Sequence, residues 1–293
     1  MHNKPNFFII GAPKCGTTSL SKWLDQHPNV FFSKPKEPAF FNKDFNGGVT
    51  SLKKYLQLFK NANDSHLAIG EGTTHYLYSE CAIKNILNFQ PDAKFIICLR
   101  NPLNTAISMH SERVFQGEEP EKSFEKAWNL EKDREKSIGI PLSMKGNSLF
   151  LQYGKLCKHA YWVEKVFAKV KRHNILILLI DDLKESPRNT FNEVCNFLNI
   201  SEEVDVEFAT YNTAKQVKSI QVSKFIHFSI FIKRKLLGNY KTNLASFFRK
   251  VNTYQGPNKK ISKKFKKIIL DYFIEDILIL ESLISRNLDS WKK

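Results

Sequence analysis

With 293 residues, 42% of them hydrophobic and 24 of them phenylalanine, the chain can bury a large core, which excludes a disulfide-stapled miniprotein and a disordered polymer alike. Its formal charge of +16 is concentrated late, residues 213–293 holding 18 Lys or Arg against 5 Asp or Glu. Such a field draws anions of any kind, from polyanions and anionic membrane surfaces to small anionic ligands, but without a helix-turn-helix, zinc-ligand or RNA-binding signature no nucleic-acid partner is expected.

The five cysteines, at 15, 81, 98, 157 and 195, are odd in number and scattered, so they suit a reducing compartment better than a disulfide framework. Residues 1–8 lack a charged-then-apolar leader pattern, and no window approaches the roughly 18 uninterrupted apolar residues of a bilayer span. A cytoplasmic protein is expected.

Along the chain, the apolar run 7–10 leads through Gly11-Ala-Pro-Lys14-Cys15-Gly16-Thr17-Thr18-Ser19 into the helical spacing of Leu20, Trp23 and Leu24. A second run, 67–69, enters Glu71-Gly72-Thr73-Thr74-His75-Tyr76, and a third, 95–99, ends in Arg100-Asn101-Pro102. Residues 150–170 read as one long helix before the fourth strand, 175–180, which runs into Asp181-Asp182-Leu183. Strands alternating with helices predict an α/β fold, a mainly parallel sheet flanked by helices. After Asn199 the pattern reads as helix and loop only, with a terminal helix over 259–283. One domain over residues 1–293 is expected, 1–200 forming the α/β core and 201–293 a basic helical extension of it.

Gly11-x4-Gly16-Thr17-Thr18 has the glycine spacing of a phosphate-binding loop, in which backbone amides and a helix N-terminus surround an anion. A nucleoside-triphosphate loop carries its Lys directly after the second Gly. Here that position is Thr17 and the lysine is Lys14, which argues for a shorter anion touched from its side.

This loop closely resembles the 5′-phosphosulfate loop of sulfotransferases that use 3′-phosphoadenosine 5′-phosphosulfate (PAPS). Phe95 to Pro102, followed by Ala106-Ile107-Ser108-Met109-His110, looks like that family's 3′-phosphate segment. Lys34-Pro35-Lys36-Glu37-Pro38-Ala39-Phe40-Phe41 is similar to the Lys-Glu then Phe-Phe run of its glycan branch, which includes the heparan sulfate sulfotransferases.

The resemblance implies a fold of the P-loop type, PAPS as co-substrate, PAP as product and no metal. Lys14, Cys15, Gly16, Thr17, Thr18 and Ser19 would hold the phosphosulfate, and Arg100 and Ser108 the 3′-phosphate. Glu37 would be the general base and Lys14 the cation on the leaving phosphate oxygen. On composition alone Glu37 reads as a surface residue beside Lys36. His75 is a competing base, because cytosolic sulfotransferases use a histidine from the corresponding strand exit, though it sits one position late. Lys218, or Lys215, would close over the nucleotide.

One departure stands out: the glycan enzymes typically carry Lys where this chain has Gly72, so another cation substitutes or acceptor binding differs. The acceptor expected is a hydroxyl or amine, on a carbohydrate by the Glu37 segment, and an acidic one would suit the basic C-terminal third.

Two other classes remain open on the residues alone. A kinase or nucleotidase using ATP and Mg²⁺ would exploit the loop and Asp181. A non-catalytic binder of membrane or glycan would exploit Phe225-Ile226-His227-Phe228 and Ile230-Phe231-Ile232-Lys233-Arg234-Lys235, whose mixture of apolar and basic residues also suits peripheral contact with an anionic membrane.

Overall fold

The structure is a computed structural model describing residues 4–209, 215–217, 222, 225, 253–255 and 261–293, with the side chains of 215–217 and 253–255 excepted. In chain order its principal elements are β1 (Phe7–Gly11), α1 (Thr17–Leu24), β2 (Val30–Phe32), α2 (Leu52–Leu56), β3 (Ala68–Gly72), α3 (Ala82–Phe89), β4 (Lys94–Leu99), α4 (Pro102–Gln116), α5 (Phe124–Asn129), α6 (Glu131–Glu135), α7 (Tyr153–Leu156), α8 (His159–Phe167), β5 (Ile175–Leu179), α9 (Ile180–Glu185), α10 (Pro187–Leu198), β6 (Lys215–Val217), β7 (Thr253–Gln255) and α11 (Lys263–Ile284). They form two compact units. The first comprises the described residues of Met1–Asn101, His159–Tyr211 and Asp276–Leu288, and the second those of Pro102–Lys158, Asn212–Glu275 and Asp289–Lys293.

The first unit contains a five-stranded sheet in the order β2-β3-β1-β4-β5, every neighbouring pair parallel. A parallel strand covered on both faces reads as an uninterrupted apolar run, and Phe7 to Ile10 of β1 are wholly buried. Phe8 stacks at 6.0 Å on Phe95 and meets Phe41 edge-on at 5.9 Å. The chain leaves β1 to build β2 and β3 on one side and then crosses to β4 and β5 on the other. The carboxyl end of β1 is therefore a topological switch point, where such sheets leave a crevice for ligands. β2 is an addition to the sequence expectation: three residues behind Pro28 are too few to show a period.

Residues 201–209 run along α1. Trp23 Nε1 donates to the Ala209 carbonyl at 3.1 Å, Phe208 stands edge-on to the Trp23 ring at 5.0 Å, and His27 Nε2 donates to the Ser201 carbonyl at 2.8 Å. Trp23 is accordingly core.

In the second unit Arg134 and Glu119, both fully buried, pair at 2.8 Å. Tyr153 OH donates to the other Glu119 oxygen at 2.8 Å, and Arg134 Nη1 donates to the Leu151 carbonyl at 2.9 Å. Beside them Trp128 meets Tyr272 and Phe273 of α11 edge-on at 5.2 and 5.7 Å.

Two expectations are corrected. Residues 150–170 are not one helix: a 3₁₀ stretch (Leu142–Leu151) gives way to α7 and then α8. The Glu131 carboxylate accepts from the Gly154 and Lys155 amides, at 2.8 Å each, and so satisfies the amides of a fresh helix start. The region after Asn199 is not helix and loop alone, since β6 and β7 pair antiparallel. The expected terminal helix is present as α11. No helix among the described residues is long and apolar enough to cross a membrane.

Removing one partner of a buried ion pair strands the other in a medium that solvates it poorly. Arg134→Met is therefore expected to cost about 3–5 kcal/mol, read as a lowered urea midpoint. The double variant Arg134→Met/Glu119→Leu is expected to recover much of that loss.

Candidate active site

The loop after β1 is anchored at its start by Ala12 N, which donates to the Cys98 carbonyl of β4 at 2.7 Å. Lys14 and Gly16 then take positive φ values of 66° and 91°, curling the backbone under the first turn of α1. Gly16 is required twice over. Its φ disfavours a side chain, and a Cβ there would stand 2.9 Å from Leu183 Cδ1 of α9. The first-turn amides of α1 point out of the helix end, where the helix dipole also favours an anion.

Around them Thr17 and Ser19 are buried, while Lys14 and Thr18 are half-buried. Cys15 is fully buried and donates from Sγ to the Pro13 carbonyl at 3.4 Å, so its thiol belongs to the loop's own structure. The six predicted loop residues thus run from the loop into the first turn of α1.

Glu37 lies on the segment between β2 and α2 and itself adopts φ 64°, a conformation that a non-glycine residue holds only against strain. Its Oε1 accepts from Lys36 Nζ at 3.1 Å and from Thr74 Oγ1 at 3.4 Å. Lys36 Nζ also donates to Thr17 Oγ1 at 3.5 Å. One ammonium therefore joins the predicted base to the predicted anion loop. Sequence reasoning assigned no role to Lys36 or Thr74.

The segment following Glu37 is fastened from beneath by a buried carboxyl that sequence reasoning also passed over. Ala39 N donates to Thr73 Oγ1 at 3.2 Å, and Phe40 N and Phe41 N donate to Tyr76 OH at 3.0 and 3.3 Å. Those two hydroxyls donate in turn to Glu71, at 2.6 and 2.8 Å, and Tyr55 OH of α2 adds a third bond at 3.0 Å. Burial pushes the Glu71 carboxyl up to about 7, against the pull of the three hydroxyl donors. The signal in the sequence was an acidic residue ending an apolar strand amid Thr and Tyr.

Arg100 directly follows β4 in the first unit, and Ser108 lies half-buried within α4 in the second. The backbone at Arg100 is held by His159, whose Nε2 donates to the Arg100 carbonyl at 2.9 Å. Complete burial pushes that imidazole down to about 4 and so keeps it neutral. His75 sits on a 3₁₀ turn (Thr74–Tyr78) with its ring 6.5 Å from that of Phe45, and it is the neighbouring Thr74 that meets Glu37. Lys215 falls in β6, and Lys218 lies outside the described residues. Among the described residues no group of three or more His, Cys, Asp and Glu is gathered as a metal site requires. In α9, Asp182 is engaged by Arg286 at 2.9 and 3.1 Å.

The loop after β1, the Glu71 to Thr74 exit of β3 and Arg100 after β4 are thus gathered at the carboxyl ends of the three central strands. Residues 4–267 match the family model for the sulfotransferase domain. The chain belongs to that family. It is similar to a membrane-associated sulfotransferase, kil1, of Dictyostelium discoideum, with 30% identity over 106 residues, 36% of this chain and 22% of that protein. It is likewise similar to the mouse (Mus musculus) heparan sulfate glucosamine 3-O-sulfotransferase 6, with 32% identity over 110 residues, 38% of this chain and 31% of that protein. These matches span under a third of either relative's length. The crystal structure of a sulfotransferase from Alicyclobacillus acidocaldarius superposes with a TM-score of 0.74 at 22% identity, covering 99% of this chain and 100% of that one. The sulfotransferase fold, expected from the resemblance, is present.

A carboxyl whose folded value is raised from 4.5 to about 7 binds its proton more tightly in the folded chain than in the unfolded one. The stability it confers is complete below about pH 4.5 and is lost as pH rises through about 7, a change of about 3 kcal/mol. Glu71→Gln cannot ionise, and is expected to flatten the dependence of Tm on pH between about 5 and 8.

Proposed function

We propose that this chain is a PAPS-dependent sulfotransferase acting on a carbohydrate hydroxyl. The observation that carries this reading is the Lys36 ammonium linking the Glu37 carboxylate to Thr17 of the anion loop at 3.1 and 3.5 Å. A base and an anion cradle so joined suit the transfer of an anionic group to a hydroxyl.

The loop fits a phosphosulfate: left-handed residues at 14 and 16 bring backbone amides together, and Lys14 supplies positive charge at the side. PAPS supplies an activated sulfuryl group. Thr17, Thr18, Ser19 and the amides around Gly16 bind its 5′ end, and Cys15 contributes backbone alone. Arg100 is assigned to the 3′-phosphate, where a guanidinium fork matches the oxygens of the anion. In-line transfer between two oxygens rests on positioning and charge stabilisation. Lys14 meets the charge developing on the leaving oxygen, and Glu37, 40% exposed and opening to solvent, takes the acceptor's proton. The strained backbone at Glu37 and the clamp on residues 39–41 support that choice over His75. The glycan assignment of the acceptor rests on the Glu37 segment and on the similarity to a heparan sulfate sulfotransferase.

Calorimetry with PAP, AMP and ATP tests the reading directly. PAP is expected to bind most tightly, with Arg100→Ala weakening it roughly 100-fold and leaving AMP almost unaffected. Glu37→Gln is expected to bind PAP normally and to lose transfer from labelled PAPS to glycan acceptors by about 10²- to 10⁴-fold. Preference for ATP with Mg²⁺ would instead support the kinase reading.

A further inference from the structure

Lys36 is shaped by the fold in a way that an ion pair with its sequence neighbour does not require. Adjacent charges at a surface find each other without a buried path and stabilise by about 0–1 kcal/mol. Here the lysine stem runs inward over the end of β3, and the side chain is only 21% exposed. The room for it comes from Gly72. A Cβ at that position would stand 3.3 Å from Lys36 Cε, 3.2 Å from Phe32 Cζ and 3.5 Å from Ile9 Cβ, so a side chain there would contend with Lys36 for one small space.

The stem ends with Nζ between Thr17 Oγ1 and Glu37 Oε1. An ammonium has three N–H donors. Two are directed at these oxygens, and the third is available to an incoming one. Thr17 is the first residue of α1 and so marks the mouth of the anion loop.

We infer that Lys36, admitted by the missing side chain at residue 72, is the cation that binds the sulfuryl group while it moves. The assignment rests on the sulfotransferase reading above and deepens it. In the step, the bond from sulfur to the phosphate oxygen breaks with its electron pair left on that oxygen, the acceptor oxygen bonds to sulfur, and the acceptor's proton goes to Glu37. Lys36 donates to the sulfuryl oxygens throughout, and Lys14 serves the departing phosphate oxygen. The two lysines thus divide the anion between them, and only Lys36 distinguishes a phosphosulfate from a bare phosphate.

That distinction supplies the experiment: affinities of PAPS and PAP, measured side by side by calorimetry on the full chain. Lys36→Met keeps the apolar stem and removes the ammonium. It is expected to weaken PAPS about ten-fold or more and PAP by less than about three-fold. Lys36→Ala/Gly72→Lys sends a lysine into the same space from the opposite side and is expected to restore the PAPS to PAP ratio to within about three-fold of wild type. A merely structural Lys36 would change both affinities together, so an unaltered ratio in Lys36→Met overturns the assignment while the sulfotransferase reading stands. A wild-type chain that binds neither nucleotide overturns both.

Discussion

Everything at this site hangs from one carboxyl withdrawn from water. Glu71, the penultimate residue of β3, is completely buried, a position that disfavours its charge. Three hydroxyl donors offset the cost, and two of them accept backbone amides from residues 39–41. The donors run in one direction, amide to hydroxyl to carboxyl, so each bond polarises the next. The same segment is held from its apolar side. Phe40 lies flat on Tyr55 at 4.5 Å, and Phe41 meets Phe8 of the central strand. Polar clamp and aromatic packing therefore coincide at Phe40 and Phe41, and Glu37 just before this segment is held in a conformation that an untethered loop would relax from.

Two glycines complete the arrangement by what they leave out. At residue 16 the absent side chain lets Leu183 of α9 press against the turn of the anion loop, and at residue 72 it lets the Lys36 stem cross the end of β3. Each admits a neighbour from a distant part of the chain into contact with a strand exit. The first packs the loop against α9, and the second brings a positive charge to its mouth. The common physical principle is that a reacting anion needs its donors in place before it arrives, because donors that must reorganise during the reaction give back much of what they stabilise.

Much of this was legible in the residues because it is local. The anion loop, the apolar runs of β1, β3, β4 and β5 and the helix after the loop are consecutive patterns, and each appears at or within a few residues of its expected place. What escaped was set by tertiary contact. β2 is too short to carry a period. The break within 150–170 is supported by the Glu131 carboxylate, 23 residues before Gly154 in sequence, which caps the amides of a new helix start. The Glu71 cluster needs Tyr55 from α2 and Tyr76 from beyond the strand, and no spacing rule joins them. Gly72 was visible as a missing cation, but its replacement was not. Nothing in the order Lys36-Glu37 says that a left-handed turn at Glu37 aims the preceding lysine back across the sheet end.

On the proposed assignment, the pairing of Lys36 with Glu37 also orders the electrostatics in time. Before reaction the carboxylate neutralises much of the ammonium's field, so an acceptor hydroxyl approaches a site without a large excess of positive charge. When Glu37 takes the acceptor's proton its own charge vanishes, and the full field of Lys36 falls on the sulfuryl oxygens. That moment coincides with the breaking of the bond to phosphate, when negative charge is moving toward the cradle that Lys14 flanks. The gain is differential, as catalysis requires, since the lysine interacts more strongly with the reacting state than with the bound donor. A lysine without the carboxylate beside it would stabilise donor and reacting state more nearly alike, and the adjacency of residues 36 and 37 is what separates the two.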